Sequence, residues 1–529
     1  MLYFFSILYI ALFLFANFVF FTSINYAILD TCSLFTYAEA HIRPTRLRKN
    51  FVCLHANDLE NPMTTCFSDN LYYYYYNIYM AIYRLLPKGN KLRQMQVVNL
   101  FIFVLCLSVI YFSFLKMFSL ENLSGDASYA VAGIFVLVVA VRSKLLLVVY
   151  SCLSDVINYF LFSLSVLFAI LFSINPSSVY LLGFSLSIGL SFRNRIQDII
   201  LFPAGLVFLL LLTSEVKDYF IFLAGCCLPC IDILKEKLFS QSGGGLLESV
   251  LTFRAGNNKG QNKQAGGMRR LFLNLKDLYN IFQPGSIWVS QGAILLLTPV
   301  SIIYLVTHCL WLPVLNYILI SSVLIVLSVA LVEHRHFSET GVNLSSYFSY
   351  RQTYSLFFCL VFLNGYAMGA AWAAGSMVSF LYILFIFAYL IHAYHRYLTY
   401  YFSPVIAEPG LFEFEKNPPA WRFELARIVQ SLPKPAVVMG NHFIHGEIHN
   451  FYGWSDDLRC VDIYSHLSDQ QLVETIKKYS VTHIFLTPFS PLLHPGSTLG
   501  HERLGPLLEK RLKPLVFDSP SLRGYAVLP

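Results

Sequence analysis

Residues 155–173 read DVINYFLFSLSVLFAILFS, one acidic residue followed by an apolar run long enough to cross a bilayer. Such runs recur through the first 400 residues, and 13% of the chain is charged, against about a quarter in a soluble domain. This composition excludes an ordinary water-soluble enzyme. The runs are 2–29, 96–117, 127–150, 153–173, 178–192, 196–213, 218–234, 288–310, 313–332, 353–373 and 376–398. We therefore expect an α-helical polytopic membrane protein of about 11 spans, the first retained rather than cleaved as a signal.

The last part of the chain has a different pattern, in which helical apolar spacing alternates with short apolar runs typical of buried strands. The helical segments are 420–431, 468–479 and 504–512, and the strand segments are 435–440, 481–487, 515–517 and 525–528. The sequence therefore predicts two domains. Residues 1–400 form a transmembrane domain, and residues 401–529 form a soluble α/β domain.

Two long connections interrupt the predicted transmembrane domain. The first, residues 30–95, carries a tyrosine run from Tyr72 to Tyr76 that favours a helix in the plane of the lipid headgroups. The second, residues 235–287, is rich in Gly and basic residues, which is typical of a mobile loop. The net charge of +7 on a membrane chain indicates contact with membrane lipid rather than with nucleic acid.

Two carboxylates lie at the margins of predicted spans. Asp30 directly follows the first apolar run, and Asp155 begins the run quoted above. Counting through the spans places both on the same face of the membrane. A carboxylate there could accept a proton from an acceptor hydroxyl as a general base. An acidic residue at the start of a helix is equally suited to capping that helix, so both interpretations stay open.

Basic residues also gather at the ends of predicted spans. Arg193 and Arg195 lie between two apolar runs, and His334 and Arg335 follow the ninth. Because a guanidinium group matches phosphate oxygens, we take these four residues as candidates for binding a lipid phosphate. They could equally be ordinary cytoplasmic anchors. The His334–His336 pair could ligate a metal, but no further carboxylate or Cys completes a ligand set, so no metal site is predicted.

Several short motifs occur in a fixed order along residues 1–235. The first span ends in Asp30, Tyr37-Ala38 follows, Leu92-Arg93 precedes the second span, and a segment with spaced glycines runs from Gly183 to Arg193. This arrangement resembles the GT-C superfamily, and the last segment is similar to its G-x-x-x-G-L-x-x-[TS]-[KR] motif. Members are integral membrane glycosyltransferases that use polyprenyl-phosphate sugars, such as protein O-mannosyltransferases and the aminoarabinose transferase of lipid A.

The resemblance implies roles for individual residues. Asp30 matches the first-loop carboxylate that orients or deprotonates the acceptor, Asp155 matches an acidic residue at the head of a later span, and Arg193 matches a basic residue near the lipid phosphate. The expected reaction moves a sugar from a polyprenyl-phosphate carrier to an acceptor glycan, lipid or protein. No cofactor is assigned, and a divalent metal is not supported. The chain departs from several relatives in having Thr31, rather than a second acid, after Asp30.

The resemblance also implies an orientation, with loop 30–95 and the C-terminal domain on the extracytoplasmic side of a bacterial inner membrane. The basic connections at 142–144, 193–195 and 235–287 favour the opposite orientation, because short basic loops tend to stay in the cytoplasm. We expect the orientation of the family. Cations that bind a lipid phosphate are retained for that function, and long segments escape the charge rule.

Two other functions are compatible with a polytopic chain. A transporter or flippase of lipid-linked substrates is expected to have two related halves and charges near the bilayer midplane, whereas the ionisable residues here cluster at span ends. A non-catalytic scaffold for envelope assembly would use the C-terminal domain as its binding module.

Overall fold

The computed structural model describes parts of both predicted domains. The described residues are 2–24, 51–54, 78–87, 90–120, 126–231, 292–331, 344–406, 414–415, 420–441, 457–463, 469–486, 512–516 and 522–528. The tyrosine run 72–76, the 235–287 connection and residues 504–511 of the predicted helix 504–512 lie outside them, and Leu512 begins a strand rather than ending a helix. The chain divides into two compact units. The first comprises 1–23, 96–335 and 345–414, and the second comprises 24–95, 336–344 and 415–529.

Helices predominate in the described residues. They are α1 (Leu2–Ser23), α2 (Ile78–Leu85), α3 (Lys91–Leu120), α4 (Asp126–Ala140), α5 (Ser143–Tyr150), α6 (Asp155–Ile174), α7 (Ser178–Asn194), α8 (Leu201–Leu212), α9 (Val216–Cys227), α10 (Gly292–Thr307), α11 (Pro313–Leu331), α12 (Leu344–Ala373), α13 (Val378–Phe402), α14 (Ala420–Ser431) and α15 (Asp469–Tyr479). The strands are β1 (Phe51–Leu54), β2 (Val405–Ile406), β3 (Phe414–Glu415), β4 (Ala436–Asn441), β5 (Leu458–Ile463), β6 (His483–Leu486), β7 (Leu512–Pro514) and β8 (Arg523–Val527).

Several helices are long and apolar enough to cross a membrane. Among the described residues there are four, or five if a bent pair of helices counts as one span. The four are Lys91–Leu120, Asp155–Ile174, Ser355–Ala373 and Val378–Phe402, and the bent pair is Ser128–Ala140 with Ser143–Tyr150. Other apolar helices, such as Asp198–Leu212, are shorter. The chain thus has the helices of a membrane protein, and the figure of about 11 spans stays a prediction.

The bent pair α4 and α5 forms a break inside an apolar stretch. The two helices are bent by 60° where Val141 and Arg142 separate them. The basic side chains at this point are buried, since 6% of Arg142 and 2% of Lys144 is exposed. Such charges are costly inside an apolar environment and are characteristic of functional positions in membrane proteins.

Tyrosines of α13 satisfy carbonyl groups at the end of α4. The last carbonyls of a helix have no partner within that helix, and an apolar bundle offers no water to replace it. The Tyr389 hydroxyl donates to the Val138 carbonyl at 3.1 Å, and the Tyr397 hydroxyl donates to the Val141 carbonyl. The end of α4 is thereby fixed against α13.

Amide side chains of α3 likewise donate to carbonyl groups at the end of α5. Gln96 Nε2 donates to the Tyr150 carbonyl at 2.9 Å. Asn99 Nδ2 donates to the Val149 carbonyl at 3.0 Å and to the Leu153 carbonyl at 3.3 Å. Both amide side chains are fully buried. The turn between α5 and α6 is therefore held by side chains of an element about 50 residues earlier in the chain.

Helices α7 and α9 approach each other closely enough to require glycine. A Cβ atom added at Gly189 would lie 2.4 Å from the Cys226 carbonyl oxygen, and one added at Gly225 would lie 1.9 Å from Ser185 Oγ. Cys230 Sγ lies 3.1 Å from the Gly189 carbonyl oxygen. The glycine segment therefore provides a helix–helix contact, and the cysteines opposite it take part in this packing.

The second unit is built on a six-stranded sheet with strand order β1-β5-β4-β6-β8-β7. The strands β1, β5, β4 and β6 are parallel, and β8 runs antiparallel to both β6 and β7. Apolar side chains of β4 pack on both faces of the sheet. Val438 lies in a core with Leu425 of α14, and Met439 lies in a core with Leu472 of α15. Burial on both faces explains why β4 reads as a continuous apolar run.

The edge strand β1 comes from the first long connection, not from the C-terminal part of the chain. Phe51 pairs with Cys460, and Leu54 pairs with Ile463, in parallel register. The sequence analysis grouped residues 30–95 with the transmembrane domain, whereas β1 joins the C-terminal sheet. Because hydrogen-bonded strands cannot lie on opposite sides of a bilayer, β1 and the C-terminal sheet share one compartment.

This pairing predicts that a cysteine introduced in the first connection and one introduced beside the C-terminal sheet react alike with a membrane-impermeant maleimide. We expect Asn57→Cys and Lys478→Cys to be labelled together in intact cells, or protected together and labelled only after permeabilisation. The unsubstituted chain gives the background from native cysteines. Labelling of one position with protection of the other would contradict the shared sheet.

Candidate functional site

The six residues predicted as a site divide equally between described and undescribed segments. Asp30, His334 and Arg335 lie outside the described residues. Asp155, Arg193 and Arg195 lie within them, at the facing ends of α6 and α7. The structure therefore gives the local geometry of Asp155, Arg193 and Arg195.

Asp155 and Arg195 form a buried ion pair. Asp155 is the first residue of α6, and Arg195 follows the last residue of α7. Arg195 Nη1 lies 2.6 Å from Asp155 Oδ1, and 10% of the Arg195 side chain and none of the Asp155 side chain is exposed. The positive end of the α6 dipole adds to the stabilisation of the carboxylate. Helices α6 and α7 lie between these two residues in the sequence, and the hairpin that the helices form brings the two charges together.

A second carboxylate, Asp198, lies in the 3-10 turn Ile196–Ile200 that leads into α8. Its Oδ2 atom accepts hydrogen bonds from Asn158 Nδ2 and from Ser191 Oγ, both at 2.5 Å. Asn194 Nδ2 donates to Asn158 Oδ1 and, at 3.2 Å, to the Ser154 carbonyl. These contacts and the ion pair form one polar network that connects α6, α7 and the turn.

The burial of the two carboxylates limits the chemistry that this network can perform. A general base must reach the proton that it removes, either directly or through one water. The Asp155 carboxylate is fully buried and bound to Arg195, and the Asp198 carboxylate is bound to Asn158 and Ser191. The arrangement is therefore suited to holding the α7–α8 connection against α6, which is a positioning role.

Arg193 contacts the end of a different helix, α9. Its Nη1 atom donates to the carbonyl of Pro229, in the 3-10 turn that follows α9. The two arginines that the sequence analysis took together as phosphate ligands thus have separate protein contacts, Arg195 with Asp155 and Arg193 with Pro229.

The uncharged members of the network, Asn158, Ser191 and Asn194, were not among the predicted site residues. A signal was present, because Asn158 lies one helical turn after Asp155, and Ser191 and Asn194 are also one turn apart. Polar residues at helical spacing within an apolar run indicate a buried polar face. Within the described part of the chain, no group of three or more His, Cys, Asp and Glu side chains could hold a metal ion.

No protein-family model matches the chain, and no curated protein matches it.

A double-mutant cycle tests the ion pair. Removing one partner leaves a buried charge without its counter-ion, so Asp155→Asn and Arg195→Gln should each lower the free energy of unfolding by about 3–5 kcal/mol. The double variant should lose less than the sum. Thermal unfolding in detergent measures all three.

The matched control is Lys217→Gln, which removes one exposed partner of the Lys217–Glu215 pair at the start of α9. No measurable change in unfolding is expected there, because exposed pairs contribute little. Strictly additive effects of the Asp155 and Arg195 substitutions would show that the two side chains do not act as a pair.

Proposed function

We propose that the chain is an integral membrane glycosyltransferase of the GT-C type. It would transfer a sugar from a polyprenyl-phosphate carrier to a hydroxyl of an acceptor glycan, lipid or protein. Its first loop and C-terminal unit would face the extracytoplasmic side of a bacterial inner membrane.

The observation that carries this proposal is the pairing of β1 with β5. Asp30 lies between α1 and β1 in the sequence, six residues after Ile24 and 21 before Phe51. With α1 as a span, Asp30 would lie on the side of the membrane that holds the six-stranded sheet. A carboxylate at the membrane margin would then share one compartment with a folded unit that could recruit an acceptor, as this reaction requires.

The carboxylates of Asp30 and Asp155 would have distinct roles in this reaction. Asp30 would take the proton of the acceptor hydroxyl while the acceptor oxygen attacks the anomeric carbon. The bond from that carbon to the phosphate oxygen breaks, and polyprenyl phosphate leaves with the negative charge. Asp155 would act as a positioning residue, because its carboxylate is buried against Arg195. Arg193, His334 and Arg335 remain candidates for contact with the departing phosphate.

The transferase proposal predicts loss of turnover in Asp30→Asn. Removing a general base should slow sugar transfer by about 100-fold or more, because the acceptor proton then has no positioned partner. The measurement is transfer of radiolabelled sugar from polyprenyl-phosphate hexose to membrane acceptors in proteoliposomes. Asp30→Glu should retain part of the activity.

The matched control is Asp126→Asn, which changes an exposed carboxylate at the start of α4. Its turnover should equal that of the unsubstituted chain. Undiminished transfer in Asp30→Asn would contradict the assigned base. Movement of the lipid-linked sugar across the bilayer without product would show a flippase instead.

A further inference from the structure

An apolar groove lies between three helices of the helical unit, α1, α3 and α4. Its volume is about 410 Å³, within the range of about 300–1,000 Å³ that is usual for sites of small molecules. None of the described residues in its lining is charged. They include Tyr9 and Phe13 of α1, Leu107, Ser108 and Phe112 of α3, and Ala140 of α4. This lining favours an apolar ligand.

The rim of the groove is open to the surroundings of the helices. Ile10 of α1 is 55% exposed, and Val104 and Phe112 of α3 are 42% and 56% exposed. On a helix that crosses a membrane, exposed apolar side chains of this kind face the hydrocarbon of the bilayer. A hydrocarbon chain can therefore enter the groove from the side, and the dispersion contacts that it makes there decide whether it stays.

The position of the groove along α3 gives its depth in the bilayer. The residues between Gln96 and Lys116 carry no charge, and this stretch is about 30 Å long, which is the thickness of the hydrocarbon core. Along the helix axis, Phe112 lies about 6 Å from Lys116, and Val104 lies about 18 Å from it. The groove therefore occupies the half of the hydrocarbon core at the Lys116 end, which contains the acyl chains of one leaflet.

Lys116 supplies a cation just beyond the groove. It lies one helical turn after Phe112 and two turns after Ser108, so these three residues share one face of α3. The Lys116 side chain is exposed, and an ammonium group near the end of a span extends into the headgroup layer. Tyr129, near the start of α4, is 57% exposed and is of a residue type enriched in that layer. Phosphate is the anion that a phospholipid presents to Lys116 at this level.

This end of α3 is remote from the segment that holds Asp30. At the other end of α3, Arg93 Nη1 donates to the Ile24 carbonyl at 3.3 Å, and Asp30 follows Ile24 by six residues. A sugar carrier that reacts beside Asp30 would present its phosphate near Arg93, about 35 Å along α3 from Lys116. The groove is therefore better placed for a lipid of the opposite leaflet than for the sugar carrier.

We propose that the groove between α1, α3 and α4 binds an acyl chain of a phospholipid whose phosphate contacts Lys116. The phospholipid belongs to the leaflet at the Lys116 end of α3. Its chain fills the space that the three helices leave open, so the bound lipid stabilises the helical unit. This inference goes beyond the proposed sugar transfer and does not depend on it.

The first experiment blocks the groove. Phosphatidylglycerol is titrated into the full-length chain in a glycoside detergent, and native mass spectrometry measures the bound fraction. Ser108→Trp should weaken binding by about tenfold or more, because the indole ring takes the place of the acyl chain. Ser108 is exposed, and its hydroxyl donates to the Val104 carbonyl within α3, so this variant should fold. Leu105→Trp is the control, since it adds the same ring at an exposed position outside the lining and should bind normally.

The second experiment tests the phosphate contact. Lys116→Gln should weaken binding of phosphatidylglycerol by about fivefold, which is the effect of one lysine at a membrane surface. Lys116→Arg should restore binding, and Lys217→Gln should leave it unchanged. Diacylglycerol, which has the same acyl chains and no phosphate, should bind equally to the unsubstituted chain and to Lys116→Gln. Unchanged phosphatidylglycerol binding in Lys116→Gln would overturn the phosphate contact.

Thermal unfolding shows which variants are folded and gives a second measure of binding. Phosphatidylglycerol should raise the unfolding temperature of the unsubstituted chain and of Leu105→Trp more than that of Ser108→Trp. A folded Ser108→Trp that binds the lipid as tightly as the unsubstituted chain would overturn the site. Polyprenyl phosphate that binds more tightly than phosphatidylglycerol and is lost in Ser108→Trp would overturn the phospholipid as the ligand. A dimer that Ser108→Trp converts to a monomer would assign the groove to a second copy of the chain and overturn the proposal.

Discussion

A helix that breaks inside an apolar bundle must find donors for the carbonyls that it releases, and this requirement organises the helical unit. Without water, each unpaired carbonyl would cost several kcal/mol. The break at Val141 is compatible with burial because Tyr389 and Tyr397 donate to carbonyls at the end of α4. Gln96 and Asn99 donate to carbonyls at the other end of α5. Helix α13 is thereby tied to the chain before α5, and helix α3 is tied to the chain after it.

The same principle explains the ion pair at the ends of α6 and α7. An isolated charge would be costly among apolar helices, so Asp155 and Arg195 are stable there only as partners. The pair fixes the ends of α6 and α7 relative to each other, while Gly189 permits the close approach of α7 to α9. Helix packing in this region is thus specified by a few polar or very small residues within surfaces that are otherwise apolar.

The sequence pattern predicted those segments whose structure depends on neighbouring residues. The helix predicted at 420–431 occurs at those residues, and the run at 435–440 forms β4, because apolar periodicity is a property of neighbouring residues. The strand β1 could not be found in this way. Its four residues carry no signal for a partner about 400 residues later in the chain. The contact between Arg195 and Asp155 was also missed, since a guanidinium matches a carboxylate as well as it matches a phosphate, and only geometry distinguishes them.

The distribution of charges separates structural from chemical roles. A carboxylate that holds an arginine in the protein interior cannot also take a proton from a substrate without leaving that arginine unbalanced, so Asp155 is poorly suited to be the base. By the same reasoning, Arg195 already has its anion and is a weak candidate for offsetting charge on a leaving phosphate.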